Sequence, residues 1–237
     1  MSLSVALTPS GLDPGSLDGR AVVVIDVLRA STSIATALAN GARAVIPVAD
    51  KGEAGRLAAT LDRDTSVLAG ERDGVMLPGF TLGNSPREMT AEAVGGKTVV
   101  LTTTNGTYAI VAAKKADRLA VGTFVNAAAT AAFLSDALAD GLEATIVCAG
   151  WRGEVGLEDV LCAGLLADRV GGAGGDGALI ALGLYRGAAA NLGRAVASSE
   201  HARRLASLGA ADDVTACVRV DALDVLPVYR DNQLVAG

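Results

Sequence analysis

Short apolar runs that end in polar, glycine-rich segments recur along the chain. The first, residues 22–25, is an uninterrupted β-branched run that stops at Asp26, which indicates a buried strand. The same pattern predicts strands at residues 22–25, 44–48, 97–101, 119–122 and 144–148. Helices are predicted between them at residues 34–40, 108–115 and about 157–170. This alternation predicts an α/β fold with mixed or largely parallel sheets flanked by helices.

The carboxyl-terminal part is less regular. Residues 171–177 contain so many glycines that they form either a domain linker or a surface loop. Strands are expected at residues 214–220 and 225–228. The length of 237 residues suits one functional unit. We expect two lobes, 1–128 and 129–237, with the active site in the cleft between them.

Composition excludes several classes of protein. Hydrophobic residues make up 51% of the chain, which is incompatible with a disordered protein. The net charge of -6 and the lack of a basic cluster argue against a nucleic-acid partner. No apolar run is long enough to span a bilayer, and no signal peptide is evident. Three cysteines without a CxxC pair favour a reducing cytoplasm, and a single histidine argues against a Cys/His zinc site.

The segment after the first strand carries the clearest chemistry. Asp26 at a strand end can hold Mg²⁺ or attack phosphorus, and Arg29 can bind phosphate through its planar fork. Ser31, Thr32 and Ser33 offer hydroxyl groups to an anion at the start of a helix. The alternatives are that these hydroxyl groups only cap the helix, and that the two charged residues form a structural ion pair.

Two familiar phosphate-handling patterns do not fit this segment. A strand ending in Asp is similar to the start of haloacid-dehalogenase phosphatases, which need a second Asp two residues later. That position is Leu28 here. A P-loop is excluded as well, because GxxxxGK[ST] does not occur.

Three later loops are also polar and rich in glycine, as binding loops often are. Their candidate substrate-binding residues are Arg72, Asn84, Ser85, Arg87, Thr103, Thr104, Asn105, Gly106, Thr107 and Arg152. Hydroxyl groups and free backbone amides could surround an oxyanion, and Gly106 permits close approach. The alternative is that these segments are ordinary turns.

Acidic residues near these loops suit a hard cation. Glu158 and Asp159 fall in the first turn of a predicted helix, where the helix dipole alone would also favour them. His201 is the only histidine, and its role is either structural or that of a catalytic acid. Cys148 is expected to pack in the core rather than act as a nucleophile.

In their order along the chain, these loops resemble the 2-phosphosulfolactate phosphatase family. The matching stretches are residues 26–33, 83–86, 103–107, 148–150 and 158–164. The resemblance implies an α/β fold, Mg²⁺ dependence and hydrolysis of (2R)-phospho-3-sulfolactate to sulfolactate and phosphate. In archaea this reaction is a step toward coenzyme M.

Roles can then be assigned on physical grounds. The predicted catalytic residues are Asp26, Glu158 and Arg29. The predicted Mg²⁺ ligands are Asp26, Glu71, Glu158 and Asp159. Arg72, Arg87 or Arg152 would hold the second anion of a phosphorylated sulfo- or carboxylic acid. Two alternatives stay open: another small-phosphate hydrolase or transferase on the same scaffold, and a non-catalytic anion-binding module. A homodimer is also left open.

Overall fold

The computed structural model describes residues 2–10, 14–62 and 64–237. The strands are β1 Leu3–Ala6, β2 Arg20–Ile25, β3 Ala44–Pro47, β4 Ser66–Arg72, β5 Val75–Met76, β6 Thr98–Thr102, β7 Arg118–Gly122, β8 Glu143–Cys148, β9 Pro227–Arg230 and β10 Gln233–Ala236. The α-helices are α1 Ala30–Ala39, α2 Lys51–Thr60, α3 Ala91–Val94, α4 Gly106–Ala112, α5 Ala127–Ala139, α6 Leu157–Val170, α7 Asp176–Ala188, α8 Leu192–Ala197, α9 Glu200–Ser207 and α10 Ala211–Cys217.

The strands form one mixed sheet in the order β1-β8-β2-β7-β9-β10-β3-β6-β4-β5. Two parallel groups, β1-β8-β2-β7 and β3-β6-β4, are joined by the antiparallel β9-β10 hairpin. The predicted α/β class is therefore confirmed. The three strands that follow residue 128, β8, β9 and β10, lie between strands that precede it, and the division into lobes stays a prediction.

The position of β2 explains its composition. It pairs in parallel with β7 on one side and β8 on the other, and Val22 to Ile25 are fully buried. Helices cover both faces of such a strand, so an unbroken apolar run is needed. The register pairs Ile25 with both Gly122 and Cys148. The segments that follow these three strands therefore meet at one edge of the sheet, where ligands bind in α/β folds.

The start of α1 differs from the prediction. The helix begins at Ala30, four residues early, so Ser31 to Ser33 lie inside its first turns and do not cap it. Arg29 occupies the N-cap position, and its side chain makes no capping hydrogen bond. The hydroxyl groups instead bind nearby loops, as described below.

The strand expected at residues 214–220 is also wrong, because α10 covers residues 211–217. Asp212 and Asp213 lie in the first turn of this helix, where the dipole stabilises carboxylates. Val214 and Cys217 are buried three residues apart, which is a helical period rather than a strand period. The strand expected at residues 225–228 is present but is shifted to 227–230.

The glycine-rich segment 171–177 is a short packed connection and not a domain linker. Gly171 ends α6 with a φ of 74°, the left-handed conformation that glycine adopts most readily. The Gly174 N–H donates to the Leu3 carbonyl at 2.7 Å, which ties the connection to β1. Within the described ranges, no helix is long and apolar enough to cross a membrane.

Candidate active site

A small, partly open cavity lies at the carboxyl ends of the strands. Its walls are Asp26, Leu28, Arg29, Glu71, Asp73, Gly74, Asn84, Thr104, Asn105, Trp151, Arg152, His201, Arg204 and Leu205. The loops after β2, β6 and β8 contribute to it, as the strand pattern predicts, and the β4–β5 turn, at a strand that the pattern did not predict, contributes as well. Helix α9 closes a further side. The cavity thus unites residues from distant parts of the chain.

Asp26 is held rigidly at the end of β2. Its backbone N–H donates to Ser31 Oγ at 2.8 Å, and its Oδ1 accepts from the Ala30 N–H at 3.2 Å. A β-carbon at Gly106 would lie 2.5 Å from Asp26 Oδ2, so only glycine lets α4 begin this close to the carboxylate. In the described parts of the chain, no group donates a hydrogen bond to Oδ2.

The surroundings of Asp26 disfavour its charge. Burial is the main cause and raises its pKa from 3.8 to about 6. Glu71 and Glu158 raise the pKa further, whereas His201 and the Ala30 N–H lower it. Asp26 therefore loses its proton at a cost that a nearby cation would offset.

Glu71 is buried and has its hydrogen-bonding capacity filled. Oε2 accepts from the Gly74 N–H at 2.7 Å, and Oε1 accepts from the Thr104 N–H at 2.9 Å and the Thr104 hydroxyl at 3.1 Å. These bonds tie the β4–β5 turn to the loop before α4. Glu71 thus shapes the cavity wall.

Asp159 also braces two loops. Its Oδ1 accepts from the Val27 N–H at 2.8 Å, and its Oδ2 accepts from the Gly150 N–H at 2.9 Å. Burial raises its pKa well above the usual range, Glu158 and Asp26 raise it further, and the two amides oppose them. Because both oxygens have donors, Asp159 is less available to a metal ion than its neighbour.

Glu158 is the carboxylate with spare capacity. It is 2% exposed, and its Oε1 lies 3.1 Å from His201 Nδ1. Its Oε2 is buried and has no hydrogen-bond partner within the described ranges. A buried carboxylate oxygen without a donor favours a cation beside it.

Arg29 is buried and paired. Its Nη1 donates to Asp213 Oδ2 at 2.7 Å, and the Ser85 hydroxyl donates to the other oxygen of Asp213 at 2.7 Å. Arg29 also reaches the Gly74 carbonyl at 3.3 Å. This network joins α10 to the loop after β2, so Asp213, which no sequence signal marks, positions Arg29 without lining the cavity itself.

Two predicted anion-binding arginines do not line the cavity. Arg72 donates to the Ala49 carbonyl at 3.3 Å and to Thr102 Oγ1 at 3.0 Å. Arg87 is exposed and forms an ion pair with Asp212 at 3.0 Å. Arg72 therefore links β4 to Ala49 and Thr102, and Arg87 links its own loop to α10.

Most of the predicted hydroxyl groups are also engaged elsewhere. Thr32 Oγ1 donates to the Val27 carbonyl at 2.9 Å, and Ser33 Oγ donates to the Asn84 carbonyl at 2.8 Å. Thr103 and Thr107 exchange hydrogen bonds at 3.1 Å, from each backbone N–H to the other's hydroxyl. They hold the loop in shape rather than presenting their oxygens to a ligand.

The asparagines differ from these hydroxyl groups. Asn84 is 4% exposed and lines the cavity, and its Oδ1 has no partner in the described structure. Asn105, also in the wall, precedes α4, and its side chain makes no capping bond. Neither side-chain amide forms a hydrogen bond with a described residue, so both can meet a bound molecule.

One wall is built from stacked rings. Trp151 and His201 lie with ring centroids 5.3 Å apart and an interplanar angle of 15°. The Arg152 guanidinium lies 4.6 Å from the Trp151 centroid and pairs with Asp73 at 3.3 Å. Asp73 and Trp151 lie in loops whose polar, glycine-rich composition predicts binding, but no motif singles out these two residues, and no local signal marks Arg204.

The three cysteines take no part in the site. All are buried free thiols, and burial raises the pKa of Cys148 well above 9 and that of Cys217 to about 12. A thiol is nucleophilic as its thiolate, which burial disfavours. Cys148 therefore packs in the core, as expected.

The described side chains offer two carboxylates, not a closed cage, to a metal ion. No group of three His, Cys, Asp or Glu residues within the described ranges is arranged to hold one. Among the buried carboxylates of this region, Asp26 Oδ2 and Glu158 Oε2 nevertheless accept no hydrogen bond from the described residues. Glu158 lies in the adjoining pocket, which shares Trp151, Arg152 and His201 with the Asp26 cavity. Mg²⁺ commonly binds one or two carboxylates and completes its shell with water and substrate phosphate, so these residues fit that ion.

The similarity to known proteins extends over all the residues that line the cavity. A family profile described as 2-phosphosulpholactate phosphatase matches residues 6–232, a range that includes every cavity residue. A protein of Caldanaerobacter subterraneus subsp. tengcongensis is 38% identical over 235 residues, which are 98% of this chain and 96% of its own. One of Symbiobacterium thermophilum is 39% identical over 224 residues, 92% and 95% of the two chains. Both carry the name "Probable 2-phosphosulfolactate phosphatase".

Proposed function

The chain belongs to the 2-phosphosulfolactate phosphatase family and is a phosphatase, and we propose that it hydrolyses (2R)-phospho-3-sulfolactate to sulfolactate and phosphate in the cavity at Asp26. The observation that supports the location is a buried strand-end carboxylate with a raised pKa in a cavity that guanidinium groups also line. Family membership favours this enzyme over a non-catalytic anion-binding module.

Mg²⁺ is the cofactor in this proposal, and Asp26 and Glu158 would hold it. The bound ion would neutralise charge on the phosphate oxygens as the transition state develops. Two further carboxylates, Glu71 and Asp159, position the loops around these ligands through their backbone amide contacts.

Asp26 acts as a ligand and not as the nucleophile in this proposal. Leu28 occupies the position of the second Asp of dehalogenase-type phosphatases and lines the cavity with an apolar surface. Water is then the attacking group. Asn84 and Asn105, with free amides in the wall, are placed to orient the water or the phosphate.

His201 can assist the leaving oxygen. With both ring nitrogens protonated, Nδ1 of His201 donates to the Glu158 carboxylate, and Nε2 can give its proton to the departing alkoxide, which leaves a neutral imidazole. The stacked Trp151 ring fixes the imidazole plane. A proton donor for the departing alkoxide is a common requirement of monoester hydrolysis.

The partners follow from the same reasoning. The substrate is a small phosphorylated sulfo-acid, and the net charge of -6 disfavours nucleic acid. Cytoplasmic location and a homodimer stay predictions of this proposal.

Phosphate release from phospho-3-sulfolactate tests the proposal. We expect EDTA to abolish release and Mg²⁺ to restore it, and we expect Glu158→Gln to lose most of kcat. Asp136→Asn, an exposed change on α5, is the matched control and should keep full activity. Full activity in a metal-stripped sample would refute the metal assignment, and no release from this substrate would refute the substrate.

A second measurement separates ligand from nucleophile. Rapid quench with labelled substrate, followed by mass spectrometry of the peptide that carries Asp26, should find no phosphorylated peptide. A phosphorylated Asp26 that forms as fast as turnover would make this residue the nucleophile.

A further inference from the structure

The charges around the cavity leave one arginine without a partner. Arg29 is paired with Asp213 at 2.7 Å, and Arg152 is paired with Asp73 at 3.3 Å. Each of these cations is therefore already balanced by a carboxylate of the protein. The remaining guanidinium in the wall, that of Arg204, forms no ion pair with a described residue.

Arg204 is half-buried on α9. Within residues 2–10, 14–62 and 64–237, no protein group forms an ion pair or hydrogen bond with its guanidinium. A guanidinium carries five N–H donors, and partial burial keeps some of them from bulk water. Such a group gains most from an anion that enters the cavity.

The orientation of α9 aims this residue at the site. His201 precedes Arg204 by three residues and lines the same cavity, so both lie on one face of the helix. The helix is anchored beside the β4–β5 turn, where a β-carbon at Gly74 would lie 2.8 Å from Leu208 Cδ1 and 3.7 Å from Leu205 Cδ2. The α9 wall is thus distinct from the strand-end wall that carries Asp26.

We infer that Arg204 binds the sulfonate of the substrate and sets the preference for phosphate esters that carry this second anion. The inference rests on the proposed function, which places the phosphate at Asp26 and the metal. The sulfonate sits on the carbon next to the phosphate ester and so meets a neighbouring wall. A sulfonate is a tetrahedral oxyanion, and a weakly hydrated planar guanidinium suits it better than an ammonium group does.

Arg203 provides the matched control. It lies on the same helix, is exposed, does not line the cavity and donates to the Ser198 carbonyl. Arg203→Ala and Arg204→Ala therefore remove the same charge from neighbouring positions, and only the second faces the site. Arg204→Lys keeps the charge but removes the fork.

The experiment measures kcat/KM on three esters: phospho-3-sulfolactate, phospholactate and glycerol 2-phosphate. Arg204→Ala should lower the value about 30-fold on the sulfonated ester, as expected for a charge-assisted contact. It should change the other two less than threefold. Arg204→Lys should recover part of the loss, and Arg203→Ala should resemble the unmutated protein on all three.

Two results would overturn the inference. Equal losses on all three esters would place Arg204 at the phosphate or in the fold, and equal losses on the two carboxylated esters alone would assign it to the carboxylate. Failure of the proposed function has a different signature, because the unmutated protein would then release no phosphate from the sulfonated ester.

Discussion

Replacing Asp26 with Asn should stabilise the folded protein while it abolishes the activity. The isosteric amide keeps an oxygen for the Ala30 N–H but removes a charge from a buried position. Active-site carboxylates are held where folding alone would not place a charge. The variant therefore separates the effect of Asp26 on the free energy of unfolding from its effect on activity.

The magnitude follows from the pKa of Asp26, which is raised from 3.8 to about 6 by burial and by its acidic neighbours. Between these values the folded protein holds the proton more tightly than the unfolded chain does. The free energy of unfolding therefore falls as the pH rises through this window and is constant above it. One pH unit corresponds to about 1.4 kcal/mol, so the charge costs the folded protein about 3 kcal/mol at pH 8.

Urea unfolding at pH 4 and pH 8, both in EDTA, measures this effect. Asp26→Asn should gain about 3 kcal/mol over the unmutated protein at pH 8 and less than about 1 kcal/mol at pH 4. Asp136→Asn, at an exposed position on α5, should show no pH-dependent difference. Phosphate release by Asp26→Asn should be lost at every pH.

Two outcomes would contradict this reasoning. A variant that is less stable than the unmutated protein at pH 8 would mean that the carboxylate forms a stabilising structural contact. A gain that is the same at both pH values would mean that removal of the charge is not its cause.

Three further predictions concern contacts around the site. Asp213→Ala should lower the free energy of unfolding by about 3–5 kcal/mol, because it leaves Arg29 buried without its carboxylate. Asp212→Ala removes an exposed carboxylate and should lower the free energy of unfolding by less than about 0.5 kcal/mol. Gly106→Ala should destabilise the protein by about 1–3 kcal/mol and lower kcat, since its methyl group meets Asp26 Oδ2, whereas Gly183→Ala, in open space on α7, should not destabilise it. Mg²⁺ should raise the thermal midpoint of the unmutated protein and leave that of Asp26→Asn unchanged.

Each of these has a clear test. Urea unfolding compares the two aspartate variants, and similar losses in both would show that the buried pair contributes little. Activity per folded molecule, together with unfolding, compares the two glycine variants, and a fully active Gly106→Ala would show that the close contact is unnecessary. Differential scanning fluorimetry follows the Mg²⁺ effect, and an equal shift in both proteins would place the ion elsewhere.

Local sequence determined β2 and α6, two of the elements near the site, because their signals lie within a few residues. The run before Asp26 is apolar without interruption, as a central parallel strand requires. This places the Asp26 carboxylate at the carboxyl end of that strand. The helix 157–170 was predicted with its observed bounds, because a glycine loop precedes it and Gly171 ends it. Glu158 in its first turn follows directly from those bounds.

Tertiary structure alone decided which charged side chains share the cavity. Arg72 and Arg87 lie in polar loops, as expected, yet nearby carbonyl and carboxylate groups hold them outside it. Arg204 and Asp213 lie on α9 and α10, far from the other site residues in the sequence. Only the packing of these helices against the strand ends brings the two side chains to the site. A local pattern specifies which face of an element is buried, but not which distant element covers it, because that choice is made by the packing of the whole core.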